Sequence, residues 1–200
     1  MKKFRELSGK LVVAMLAVTL LIGCAIGGTV AWLTAKTDAV VNTFTYGNIN
    51  ITLAETTGRS YKIIPGVDIA KDPKVTVEVD SEACYLFVKI KEENWPTFTE
   101  ADGIKKVSYD IATGWEPLAD QAGVYYREVD ATTANAGVSY YILKGDMTYP
   151  NGVVTVSENL TKNEVNGITT QPKLTFTAYA VQKDGIADAA TAWTKVPTNP

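Results

Sequence analysis

Cys84-Tyr-Leu-Phe-Val-Lys-Ile-Lys91 is a run of aromatic, aliphatic and β-branched residues whose two charges sit at its end. Side chains alternate across a strand, so Leu86, Val88 and Ile90 are expected to share one face. The same signature recurs outward in both directions. Upstream, Ile49-Asn-Ile-Thr-Leu53 alternates apolar and polar residues, Tyr61 to Ile64 leads into the Pro65-Gly66 turn, and Val75, Val77 and Val79 interleave with Thr76 and Glu78. Downstream, Val107, Tyr109 and Ile111 repeat the pattern, followed by runs at Val124–Val129, Val138–Leu143, Val153–Ser157 and Leu174–Val181. Gly, Asn, Asp and Pro clusters separate them. Many short strands without long amphipathic crossover helices predict an all-β fold, an antiparallel β-sandwich, over a parallel α/β sheet. Two short helices are expected, at Thr99–Asp102 and within Ile186–Val196, where Trp193 can pack back on the sheet.

The 200 residues are 46% hydrophobic and 20% charged, enough apolar content for a packed core. Lys and Arg number 19 against 22 Asp and Glu, with no His and two Cys. Without His, Ser-His-Asp and Cys-His catalysis and His-built zinc sites are excluded. An acidic balance argues against nucleic acid as a partner, because phosphate neutralisation needs clustered bases.

Lys2, Lys3, Arg5 and Lys10 precede an apolar or small-residue stretch from Leu11 to Leu33, the pattern of an export signal. Its length also suits a retained membrane anchor, but Gly23, Gly27 and Gly28 weaken a spanning helix. Thr29-Val30-Ala31 offers small residues at −3 and −1, placing signal cleavage between Ala31 and Trp32, with Ala35 the next choice. Leu21-Ile22-Gly23-Cys24 also has the form of a lipobox, in which Cys24 would be lipidated and anchor the protein. The expected organisation is a signal peptide over 1–31, an extended segment over 32–45 and a β-sandwich domain over 46–200. Loss of residues 1–31 removes four basic residues and one acidic residue, for a formal charge of −6 in place of −3. It also leaves Cys84 as a lone thiol, read as a small core residue. The C-terminus carries no hydrophobic tail or wall-sorting motif, so no anchoring is expected there.

Chemical motifs are scarce. Walker, dinucleotide-binding, G-x-S-x-G, H-E-x-x-H and C-x-x-C patterns are all missing. Asp72, Glu78, Asp80 and Glu82 form the densest acidic region, but their spacing fits no EF-hand loop and reads as a solvated strand face. Glu92-Glu93 has the same reading. Asn50-Ile-Thr52 and Asn159-Leu-Thr161 are glycosylation triplets that arise readily by chance. The doublets Tyr125-Tyr126 and Tyr140-Tyr141 are expected to send one ring inward and one outward. No catalytic residues, cofactor or metal are assigned.

Gly27-Gly-Thr-Val-Ala-Trp-Leu-Thr34, with Asn42-Thr-Phe-Thr-Tyr-Gly-Asn-Ile-Asn-Ile-Thr-Leu-Ala-Glu55, resembles the N-terminal signature of the TasA/camelysin family. The likeness continues in Ile64-Pro-Gly-Val-Asp-Ile-Ala-Lys-Asp-Pro-Lys-Val-Thr-Val77, in Tyr85-Leu-Phe-Val-Lys-Ile90 and in Phe176-Thr-Ala-Tyr-Ala-Val-Gln182. The resemblance implies a Gram-positive protein exported through a SipW-type signal peptidase and secreted to the cell surface or biofilm matrix. It further implies a jelly-roll-like sandwich and self-association, or association with matrix proteins of the same family, into fibres. In such assembly the segment after the cleavage site acts as a donor strand, for which Trp32, Leu33, Val40, Val41 and Phe44 are the candidates here. The same segment can equally be the first strand of its own sandwich. Two further readings follow, a surface binding module lipidated at Cys24 and a camelysin-like metallo-endopeptidase. The missing His weighs against the second, since zinc would rest on carboxylates. Contact with membrane is expected only during export or through lipidation.

Overall fold

A computed structural model describes residues 9–16, 47–58 and 60–197. The chain divides into two units, Met1–Thr45 and Tyr46–Pro200. In the first, residues 9–16 form a helix, α1, whose apolar side chains are exposed. Among the described residues no helix is long and apolar enough to cross a membrane.

The second unit is all-β and antiparallel. Its strands are β1 (Ile51–Ala54), β2 (Ile69–Ala70), β3 (Lys74–Val77), β4 (Cys84–Glu93), β5 (Val107–Ser108), β6 (Glu116–Pro117), β7 (Val124–Val129), β8 (Val138–Tyr141), β9 (Val153–Val156) and β10 (Lys173–Gln182). They form a four-stranded sheet, β10-β4-β7-β6, and two three-stranded sheets, β1-β3-β8 and β2-β9-β5. The Val153 N–H donates to Lys144 (3.2 Å), joining β9 to the segment after β8, while Ile142 N–H to Pro73 (2.9 Å) extends the β3–β8 ladder and Lys71 N–H to Gly152 (3.0 Å) extends the β2–β9 ladder. Gly152 is required at that approach. Its φ is +140°, and a Cβ there would lie 2.2 Å from the Lys71 carbonyl oxygen.

β4 is the centre of the fold because it is buried on both faces. Leu86, Val88 and Ile90 do share one face, as alternation predicts, and join Val75, Val77, Ile142, Val154 and Val156 in the inter-sheet core. Tyr85 and Phe87 point the other way, into a second cluster with Leu118, Val124, Ala192 and Val196. That outer face is covered by α4 (Ala189–Trp193), whose N-cap Asp188 accepts from Thr191 N–H at 2.7 Å. The Trp193 ring lies 5.2 Å from Phe87 and 5.6 Å from Tyr179. The expected packing of Trp193 against the sheet is thus observed. Burial of one such aromatic contributes on the order of 2–3 kcal/mol.

Several local expectations differ. Tyr61–Ile64 forms no strand, only a bridge from Ile64 to Val67 around Pro65-Gly66. Val79 lies outside β3 and is 60% exposed, and Thr99–Asp102 is a turn closed by a Thr99–Lys105 bridge instead of a helix. Two unforeseen helices, α2 (Ala131–Ala136) and α3 (Lys162–Asn166), are held by caps. Asp130 accepts from Thr133 N–H at 2.8 Å, and Thr161 with Glu164 forms a reciprocal capping box.

Candidate functional site

Ala31, Trp32, Cys24, Leu33, Val40, Val41 and Phe44 lie outside the described residues, as do Ala35 and the rest of the 32–45 segment. The chemistry visible in the second unit falls at the open side of the sandwich, where β1 and β10 come within 8 Å of each other.

β10 reads Lys-Leu-Thr-Phe-Thr-Ala-Tyr-Ala-Val-Gln and pairs with β4 along all ten residues, from Lys173↔Glu93 to Gln182↔Cys84. Its other edge has no strand partner among the described residues. Which groups that edge offers follows from β4. Ile90 N–H donates toward β7, to the Gly123 carbonyl at 2.8 Å, so by alternation Leu86, Val88 and Ile90 bond to β7 and the odd-numbered β4 residues bond to β10. Opposite them, Thr175, Thr177, Tyr179 and Val181 complete the β4 ladder. Leu174, Phe176, Ala178 and Ala180 therefore turn their N–H and C=O groups outward, while their side chains pack on the inter-sheet core. Edge strands are normally blunted by shortness, Pro or inward charge. β10 is long, contains no Pro and carries its single charge at Lys173, its first residue.

The opposite side of the sandwich is closed. Trp115 Nε1–H donates to the Tyr141 carbonyl at 2.9 Å, and the Arg127 guanidinium lies 3.5 Å over the Tyr140 ring and 5.3 Å from that of Trp115. Arg127 Nε is buried without a hydrogen-bond partner.

At the Lys173 end of β10 the two layers part to leave a cleft of about 810 Å³. Ile69, Trp95, Val107, Val154, Val165 and Leu174 supply its apolar lining, with Lys62 and Lys173 also on its wall. Lys71, at its back, pairs with Glu55 at 2.6 Å and lies 4.9 Å from the Tyr61 ring centroid. Asp72 next to it is buried and accepts from Thr56 N–H and Thr57 N–H, both at 2.9 Å, and from both threonine hydroxyls. Burial alone would raise its pKa, but these hydrogen bonds outweigh that and lower it to about 2.

Asp72 is thus no part of a solvated acidic face, which corrects the sequence expectation. The buried carboxylate is spent on closing the loop after β1. Glu78 accepts from Thr52 at 2.7 Å, and among the described residues no acidic, Cys or His cluster has metal-binding geometry. Glu92 accepts from the Tyr109 hydroxyl at 2.8 Å and Glu93 pairs with Lys91 at 2.8 Å, so this doublet is engaged. Cys84 is buried in the core, and burial pushes its thiol up to about 11, far from a reactive thiolate. Tyr125 faces the inter-sheet core and Tyr126 the outer cluster, because this sheet is covered on both sides. Of the two sequence triplets, Asn50 extends the β1–β3 ladder, its carbonyl accepting from Glu78 N–H at 2.8 Å, and Asn159 lies in a turn with its Nδ2 3.4 Å from Glu100.

The cleft was not foreseen, since its walls come from loops around residues 60–64 and 165–172 with no periodic signal. The free edge had a signal: a ten-residue apolar alternation without a single interrupting charge or Pro. Compared with known protein-family models, curated proteins and solved structures, the chain matches none.

Proposed function

We propose that this is an exported structural subunit of the cell surface or biofilm matrix, non-enzymatic and of the TasA/camelysin type with jelly-roll-like connectivity. It assembles when residues 32–45 of one copy add as a strand to the β10 edge of the next. The observation that carries the reading is β10 itself, a ten-residue edge with none of the usual protections and with outward amides at Leu174, Phe176, Ala178 and Ala180. Main-chain bonds to such an edge give affinity, and alternate side chains of the added strand give register. Fourteen extended residues reach about 46 Å, more than the roughly 33 Å of a ten-residue strand. The segment contains no Pro and only Lys36 and Asp38 as charges, so it can lie along the edge without interruption. A head-to-tail contact of this kind is heterologous and propagates as a filament.

Deletion of Trp32–Asn42 is the direct test. Negative-stain microscopy of the concentrated exported protein is expected to show filaments for the intact chain and none for the deletion. Filaments formed as readily by the deletion would overturn strand addition.

A further inference from the structure

We propose that the cleft beside Lys173 binds a single-chain amphiphile with a carboxylate head, a fatty acid in chemical class. Its volume, about 810 Å³, falls within the roughly 300–1,000 Å³ of small-molecule sites. The floor is apolar and reaches the core itself, because Val107 and Val154 line the cleft and are also buried between the sheets. Trp95 and Tyr61 add aromatic walls, suited to a hydrocarbon tail that needs no hydrogen bonds.

The charge of the lining selects the head group. Acidic residues outnumber basic ones in the chain, yet none lines the cleft, whereas three lysines do. Lys71 is already matched by Glu55. Lys62 and Lys173 are exposed and make no ion pair within 4.0 Å of a described carboxylate. Lys173 stands opposite Glu93 on the face of Tyr179 and Val181 and helps hold that carboxyl below its usual range, so Lys62 is the unmatched charge on the cleft side. The Lys62 ammonium, on its long stem beside an apolar cavity, complements one monovalent anion carried on an apolar body. The proposal does not depend on strand addition, since the cleft lies within one chain.

The test titrates the purified full chain with dodecanoate, dodecanol and dodecylammonium, each below its micelle concentration, following tryptophan fluorescence and calorimetry. Dodecanoate is expected to saturate at one per chain, at least tenfold tighter than the alcohol, with the amine weakest. Lengthening the acid by two carbons should tighten binding roughly tenfold until the cleft is full. Lys62→Glu, on the surface, should weaken dodecanoate at least tenfold and spare dodecanol. Leu174→Trp, which fills the cleft, should abolish saturable binding of both and so separates the cleft from the apolar stretch at residues 11–33. Equal binding of acid, alcohol and amine, binding unmoved by Lys62→Glu or by Leu174→Trp, or no saturable binding would each overturn the proposal.

Discussion

Asp72 shows how a single buried carboxylate fixes the loop that borders the cleft. Its folded pKa of about 2 lies below the ordinary 3.8, so its stabilisation is complete above about pH 4 and is lost as pH falls through about 2. Asp72→Asn replaces an acceptor-only group with one whose amide faces the Thr56 and Thr57 donors. It is expected to cost about 1–3 kcal/mol at pH 7 in urea unfolding. The gap between wild type and variant should shrink near pH 2, and an unchanged gap there would show that the carboxylate charge is not the source. Arg127 makes the opposite case, because its Nε is buried and unpartnered while its plane stacks on Tyr140. Arg127→Met keeps an apolar stem against the rings and removes the orphaned donor, so stability within about 1 kcal/mol of wild type is expected. Arg127→Ala removes stem and stacking together and should cost about 1–3 kcal/mol by the same unfolding measurement.

The amide alternation of β10 allows the edge to be closed without breaking the sheet. Ala178 turns its N–H outward, so Ala178→Pro removes a donor that β4 does not use, and Pro is tolerated on the free side of an edge strand. Thr177→Pro, one residue away, breaks the β4 ladder and should destabilise by about 3 kcal/mol or more. The expected outcome is that Ala178→Pro melts near wild type and fails to form filaments, whereas Thr177→Pro lowers the melting temperature. Filaments from Ala178→Pro would place the assembly contact elsewhere. Residue pattern explains what could be read in advance. β4 and β7 were legible as dense runs of β-branched and aromatic residues, and β10 from the alternation Leu174-Thr-Phe-Thr177 leading into such a run. α2 and α3 were not, since six and five residues give no helical period; only Thr161-x-x-Glu164 and Asp130-x-x-Thr133 mark them, through their caps. Of the candidate site, the open edge was written in the composition of β10. The cleft was not, because its walls at Lys62, Trp95 and Ile168 come from segments far apart in sequence that are brought together only by the fold.

At the scale of the second unit the sandwich is asymmetric, with Arg127, Trp115 and Tyr140 packed together on the β7–β8 side and the β10 edge, near β1, without a strand partner among the described residues. In the proposed assembly, subunits joined along β10 bring like-charged bodies together, because the chain without residues 1–31 carries a formal −6. Strand addition gains backbone hydrogen bonds that salt barely affects, whereas the repulsion opposing encounter is screened once the Debye length falls from about 30 Å at 0.01 M to about 8 Å at 0.15 M salt. Elongation of the proposed filaments by the chain lacking residues 1–31, followed by light scattering, is therefore expected to quicken about tenfold across that range. Ala178→Pro should stay flat, since screening cannot restore a missing donor. A rate that instead falls with salt would mean that attraction between opposite charges, not backbone pairing against a uniform repulsion, brings the subunits together.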